Sequence, residues 1–296
     1  MSALSQRFGI ALLMLLASMF ASNHIAARLA FDHGTSVASA VGVRASVTAL
    51  VMLALIRLQR VPAALPRVTL VRGLGIGLLV AVQSFCLYSA VARIPVGLAL
   101  LAFNTFPMLL VLLTWAVTGA RPPRRALVAI PTALCGLVLA LDVVGGARAI
   151  EGRWAVIGTG VGFALGAACS FAVVLFLTTH WLKEVDGRVR TLLTMGTTAV
   201  VVSGIGAATH ALALPVDGEG WLGLGLLTLL YGTAITAVFT VVPHLKAASN
   251  TVALNFEPVM ALFLGWAILG QTLAPLQIFG AFLVVGAIVY LSTGRH

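Results

Sequence analysis

Charge is what this sequence has least of. Only 9% of its 296 residues are Asp, Glu, Lys or Arg, and eight residues in all are acidic. A soluble domain carries about 25% charged residues, so this chain cannot cover a water-facing surface. With 60% hydrophobic residues and a mean hydropathy of +1.10, its main solvent is a bilayer. The shortage of acid leaves a net charge of +10 and a pI near 11.0. In a soluble protein that balance would suggest nucleic acid. Here the basic residues sit in short segments between apolar runs, so they read as a topology signal and no nucleic-acid partner is expected. Cysteine is also scarce. Cys86, Cys135 and Cys169 all lie within apolar runs with no Cys-x-x-Cys spacing, so they are expected to be small buried hydrophobes, not disulfides or zinc ligands.

Other absences narrow the function. No connecting segment exceeds about 15 residues, which leaves no room for a soluble catalytic or regulatory domain. There is no H-E-x-x-H, G-x-S-x-G or Walker pattern. Gly73, Gly75 and Gly77 lack the full dinucleotide fingerprint, and no strand precedes them. An integral-membrane enzyme would need a clustered nucleophile, metal ligands or a carboxylate pair, and none is evident. A pore would favour a ring of like residues from symmetric subunits. The expectation is therefore no enzyme, no cofactor and no metal; the sequence leaves the oligomeric state open.

What the chain does have is itself, twice. Residues 103–119, FNTFPMLLVLLTWAVTG, return 151 positions later as LNFEPVMALFLGWAILG. Asn104 matches Asn255, Pro107 matches Pro258, Trp115 matches Trp266, Gly119 matches Gly270, and Phe20 matches Phe171. Ten stretches have about the 20 apolar residues that a spanning helix needs: 8–29, 36–57, 71–92, 96–118, 124–143, 154–180, 190–212, 221–243, 248–270 and 275–293. The first is longer than the ~7–15-residue apolar core of a signal peptide and has a partner in the second copy, so it reads as a mature spanning helix. Five spans fall in each copy. Because five is odd, the second copy must enter the membrane from the opposite side. The predicted fold is all-α and integral to the membrane, with ten transmembrane helices in two inverted five-helix repeats, 1–145 and 150–296, related by a pseudo-two-fold axis in the membrane plane.

Basic residues orient this bundle. With both termini cytoplasmic, Arg7, Arg57, Arg60, Arg67, Arg72, Arg121, Arg124, Arg125, Lys183, Arg188, Arg190, Lys246 and Arg295 lie inside, and only Arg93, Arg148 and Arg153 lie outside, 13 against 3. The positive-inside rule selects that arrangement, a multi-pass protein of the cell's inner membrane. Trp115, Trp154, Trp181, Trp221 and Trp266 fall near span ends, where indole rings prefer the headgroup level. Gly158, Gly162 and Gly166 form two G-x-x-x-G steps, expected to be a face of close helix packing.

Charge within a span is costly and marks function. Arg44 lies about eight residues into span 2 and Glu257 about nine into span 9, each roughly 12–14 Å into a core about 30 Å thick. The simplest neutralisation is an Arg44–Glu257 pair across the repeat interface. It would serve either as a substrate or proton site or as a structural ion pair. Gln83, Asn104, Tyr231 and Asn255 reach similar depth and join Arg44 and Glu257 as candidate substrate-binding residues. Ser170, Ser22, Asn23 and His24 are polar at depth too, and any of these groups can instead be interhelical glue. His24 has no partner that the sequence identifies. Pro107 and Pro258 are expected to break spans 4 and 9, freeing the carbonyls of Phe103 and Leu254. Equivalent breaks in two inverted copies point to a binding region.

These motifs resemble a known family. Asn255–Phe256–Glu257–Pro258, followed by Gly265, Leu269–Gly270, Gln277, Gly280 and Gly286, resembles the second repeat of the EamA family, within the drug/metabolite transporter superfamily. Arg44 resembles the arginine of its span 2, and Tyr88–Ser89–Ala90 with Ile94–Pro95–Val96 resembles the end of span 3 and its turn. Two positions depart from the pattern: Gln271 stands where the family often has Glu (the first copy has Ala120), and Phe20–Ala21 replaces a Trp–Gly. The resemblance implies ten helices, cytoplasmic termini and a central cavity alternating between faces, usually exporting amino acids or related metabolites. Glu257 is the candidate for coupling to protons. A facilitative uniporter or exchanger for a nucleoside, sugar derivative or drug shares the same architecture.

Overall fold

The computed structural model describes residues 3–119, 121–122, 124–140, 151–240, 256–272 and 274–292. Among these residues the regular structure is all helical: α1 (Ala3–Asp32), α2 (Val37–Leu58), α3 (Arg67–Val91), α4 (Val96–Phe103), α5 (Phe106–Thr118), α6 (Arg124–Ala140), α7 (Glu151–Trp181), α8 (Gly187–Ala208), α9 (Gly218–Thr240), α10 (Glu257–Leu269) and α11 (Pro275–Ser292). Among the described residues, seven stretches are long and apolar enough to cross a bilayer: Ala11–Asp32, Val37–Leu58, Arg67–Val91, Val96–Thr118, Ile157–Trp181, Gly187–Ala208 and Gly218–Val238. Glu257–Leu269 and Pro275–Leu291 are apolar but shorter. Large apolar side chains such as Leu50, Leu127, Val200 and Phe282 stand on the outside of the bundle, as a lipid solvent permits.

The 151-residue offset recurs in the helix boundaries. Shifted by 151, α5 coincides with α10 from Phe106 and Glu257 to Thr118 and Leu269. Both are closed by a left-handed glycine, Gly119 at φ 73° and Gly270 at φ 63°, the conformation that glycine adopts without steric cost. The fourth stretch is broken, as expected, but the break lies ahead of the proline. It breaks at Asn104–Thr105 into α4 and α5, and Pro107 sits in the first turn of the new helix instead of kinking an old one. There its missing N–H and fixed φ are assets. In the second copy Pro258 likewise occupies the first turn of α10; the residues equivalent to α4, with Leu254, lie outside the described residues.

Packing follows the duplication. α1 lies on α9 as α7 lies on α3; α1 meets α10 as α7 meets α5; α2 pairs with α8 and α6 with α11. Exchanging the two copies leaves this pattern unchanged. Equivalent helices run antiparallel. Near one end of the α6–α11 pair Arg125 Nη1 donates to the Tyr290 carbonyl, and near the other Gln277 Nε2 donates to the Ala140 carbonyl. In the α2–α8 pair, Arg188 bonds Gln59 at one end and Gly206 faces Ala38 at the other. Antiparallel equivalents are what an axis perpendicular to the helices produces.

Glycine allows the closest approaches, but not where the G-x-x-x-G steps suggested. A Cβ on Gly136 would stand 2.7 Å from the Gly280 carbonyl oxygen, and one on Gly223 would stand 2.8 Å from that of Ala26. Gly158 and Gly162 face open space, so that stripe of α7 is not the packed face expected. Cys135 and Cys169 are exposed and Cys86 is half-buried, which corrects the expectation of buried thiols. Both departures have one cause: apolar residues face lipid as readily as they face protein. Of the tryptophans, Trp115, Trp181, Trp221 and Trp266 lie near helix ends, as expected.

One face of the bundle carries the turns at 33–36, 92–95, 209–217 and 270–272. There the α1–α2 and α8–α9 turns are stapled together. Val216 N–H donates to the His33 carbonyl at 3.1 Å, and Ser36 N–H to the Ala213 carbonyl at 3.1 Å. His33 Nδ1 lies 2.6 Å from Asp217 Oδ2, and His33 Nε2 lies 3.3 Å from Glu219. The bond to Asp217, aided by the charges of Asp217, Glu219 and Asp32, holds His33 above its ordinary pKa of 6.5. Asp217 is held below the usual carboxylate range, first by the Gly220 N–H and then by His33. The staple's charged part is therefore complete below pH 6.5 and is lost as pH rises through the raised His33 value; at the acid end it is lost as Asp217 protonates. Solvent screening keeps the effect small. Melting temperatures of the wild type and His33→Gln, measured in detergent, should converge as pH rises from 6 to 9. A constant gap across that range would show that the charge on His33 contributes nothing.

Candidate functional site

The buried stripe of α2 runs through Val41, Arg44, Ala45, Thr48, Met52 and Ile56. Helical periodicity thus turns Arg44 inward, and it is 2% exposed. On α3 the same logic buries Val80, Ala81, Gln83, Ser84, Leu87 and Tyr88. The two stripes meet at Arg44. Its Nη2 donates to Ser84 Oγ at 3.1 Å, and Ser84 Oγ lies 3.4 Å from Gln83 Oε1. The guanidinium carbon is 3.9 Å from the centroid of the Tyr231 ring and 4.8 Å from that of Tyr88. Aromatic faces stabilise a desolvated cation by about 2 kcal/mol or more. These two rings, one from each copy, replace the carboxylate expected to neutralise Arg44.

Glu257 lies elsewhere in the cluster. Its Oε1 is 3.6 Å from His24 Nε2, and no Arg44–Glu257 ion pair forms among the described residues. The expected pair is thus corrected. Glu257 opens α10, where the helix dipole favours a negative group, and α1 brings His24 to it because α1 packs on α10. Asn23, the neighbour of His24, accepts a 2.9 Å hydrogen bond from Tyr88 Oη, and the His24 and Tyr88 rings are 5.3 Å apart. Arg44, Gln83, Ser84, Tyr88, Tyr231, Asn23, His24 and Glu257 therefore form one connected polar cluster built from α1, α2, α3, α9 and α10. Among the described residues, Arg44 Nε and His24 Nδ1 are buried without a hydrogen-bond partner. A buried donor left unpaired costs about 1–3 kcal/mol, more when charged.

The other candidates divide. Asn104 is buried, but its Nδ2 donates to the Leu100 carbonyl of its own helix at 2.8 Å, so it caps α4. Asn255 lies outside the described residues. Ser170 donates to the Leu79 carbonyl at 2.9 Å and joins α7 to α3 as interhelical glue. Sequence reasoning passed over Ser84. It also left Asn23 and His24 without partners, and it used Tyr88 only for its resemblance. The available signal was spacing: Ser84 and Tyr88 are one turn apart on the face that carries Gln83. No group of three metal-ligating side chains occurs among the described residues.

An apolar-surfaced, duplicated helical bundle with a charged cluster at its centre is the architecture of an integral membrane protein. The model of the EamA-like transporter family matches residues 7–141 and 158–293, once for each copy. The chain belongs to the EamA-like transporter family. A solved crystal structure, one of 15 matching chains, aligns over 98% of this chain and 96% of its own length, with a TM-score of 0.60 at 19% identity. That likeness concerns the fold alone. A search of the curated proteins gave no match.

The aromatic cradle of Arg44 has a direct consequence. Tyr231 Oη makes only a 3.8 Å contact with Met195 Sδ, whereas its ring face holds the guanidinium. Tyr231→Phe should keep the melting temperature near wild type, and Tyr231→Ala should destabilise the fold by about 2 kcal/mol or more. Equal destabilisation by both would mean that the hydroxyl, not the ring, matters.

Proposed function

We propose that this protein is a secondary transporter of the cell's inner membrane that moves small metabolites by alternating access. On this reading α4 and α5 form one broken span, giving ten spans in all, with both termini cytoplasmic. The face carrying His33 and the α3–α4 turn is then the outer one. One helix group, α1 with α9 and α10, rocks against the other, α3 with α7, about the central cluster, each group drawing on both repeats, 1–145 and 150–296, and the direction is export. The observation that carries this reading is a buried arginine with an unpaired Nε, cradled by one tyrosine from each repeat. It is supported by His24, Glu257 and Gln83 nearby.

The chemistry suits amino acids or related compounds. Arg44 offers a planar cation to a carboxylate. Glu257 offers an anion to an ammonium group, or carries a proton against which the solute exchanges. Gln83, Tyr231 and Asn255 supply neutral hydrogen bonds, and His24 sets the orientation of the Glu257 carboxylate.

The test begins with purified protein screened for stabilisation by amino acids, nucleosides and sugars, followed by counterflow of any hit in liposomes. An amino-acid-like solute should raise the melting temperature and exchange across the liposome membrane, and Arg44→Ala should abolish both effects. Glu257→Gln should remove the dependence on a pH gradient while leaving counterflow measurable. Unchanged pH dependence would exclude Glu257 as the proton carrier. Counterflow that survives Arg44→Ala would sink the site.

A further inference from the structure

Helix ends within a bilayer-embedded bundle need partners for their unpaired backbone groups. The α3–α4 turn exposes two such ends. The last four carbonyls of α3 are each satisfied. Tyr88 O accepts from Ala92 N–H, Ala90 O accepts from the Arg93 and Ile94 N–H groups, and Ser89 O accepts from Arg93 Nη1 at 2.8 Å. The fourth, Val91 O, accepts from Arg28 Nη1 at 3.1 Å. Arg28 belongs to α1, and its Nε is held at 2.9 Å by Asp32 one turn on. At the start of α4, Pro95 provides no side-chain cap. The fully buried Val96 N–H donates instead to Gln271 Oε1 at 3.1 Å. Gln271 follows the left-handed Gly270 that ends α10, and Gly265 leaves room for its folded-back side chain, since a Cβ there would stand 3.0 Å from Oε1.

Both outside partners come from the same side. α3 packs with α7, and α1 packs with α9 and α10. These two groups exchange under the pseudo-two-fold, so they are the two bodies that must part for a cavity to open. Beneath the two bonds, Ile25 of α1 packs in one apolar cluster with Leu87, Val91, Ile94 and Leu98.

The second copy lacks this equipment at the equivalent positions. Arg28 corresponds to Thr179, whose Oγ1 is spent within its own helix on the Leu175 and Phe176 carbonyls at 3.1 and 2.8 Å. Asp32 corresponds to Lys183, and Gln271 to Ala120, a residue type without a side-chain acceptor.

We propose that Arg28 and Gln271 are the clasp of an outer gate at the α3–α4 turn, and that the protein rests with this gate closed. The proposal builds on the transporter reading but is tested without any solute, so the two can fail separately. In the 296-residue chain with its three native cysteines replaced, spin labels at Ala92→Cys and Leu214→Cys report the separation of the two bodies on this face. In nanodiscs the wild-type background should give one dominant short distance. Arg28→Ala and Gln271→Ala should each raise the longer-distance population roughly five- to tenfold, the effect of one net hydrogen bond. Gln271→Glu, which keeps an acceptor for the Val96 N–H, should match the wild type. Monodisperse protein whose distances are unchanged in both alanine variants would overturn the clasp, even if transport were intact. So would a Gln271→Glu variant that opens as far as Gln271→Ala. Opening in the alanine variants would support the clasp even if no solute were found to be transported.

Discussion

A helix that ends inside a bilayer leaves backbone groups that only the protein can satisfy. Much of this structure answers that constraint. The fourth span breaks at Asn104, and the break is closed from within. Asn104 Nδ2 donates to the Leu100 carbonyl, Thr105 Oγ1 to the Ala102 carbonyl, and the next helix carries in its first turn a proline that has no N–H to strand. The N-x-x-P segment is thus a way to end one helix and begin another without water. In the second copy Glu257 and Pro258 occupy the same step, which places a carboxylate at a helix start beside the central cluster.

The same constraint separates glue from site. Ser170, Asn104 and most threonines spend their polar atoms on nearby carbonyls. Arg44 and His24 do not. Each keeps a buried nitrogen without a partner among the described residues, while the rest of the guanidinium is held by Ser84 and two tyrosine rings. A purely structural arginine gains by filling all its donors. On the proposed reading, Arg44 Nε is the donor that a solute carboxylate takes.

Much of the architecture was legible in the sequence, because duplication and hydropathy are one-dimensional signals. The 151-residue offset recurs in the helix boundaries, and Pro107 and Pro258 mark helix starts in both copies. Depth was legible too: Arg44, Gln83 and Tyr231 do meet. Lateral order was not. Which groups at one depth face each other depends on α1 packing against α9 and α10 and on α3 packing against α7, and hydropathy does not encode that order. Hence depth alone pairs Glu257 with Arg44, while its neighbour is His24. Nor can hydropathy tell lipid-facing from protein-facing positions such as those of Gly158, Gly162, Cys135 and Cys169. The role of Gln271 was visible only as a departure, glutamine where a glutamate was anticipated. Its function needed the Val96 N–H to come into view.

The central claim is that the Arg44 cluster is where a transported solute sits. The most direct measurement is the labelling rate of a Ser84→Cys thiol, in a background without native cysteines, by a membrane-impermeant reagent applied from the cytoplasmic side. Ser84 touches Arg44, so a bound solute should shield the thiol. Labelling should slow progressively as solute is raised, with half-protection at the concentration that half-saturates counterflow. A labelling rate that stays constant through saturating solute would place the solute elsewhere and contradict the account.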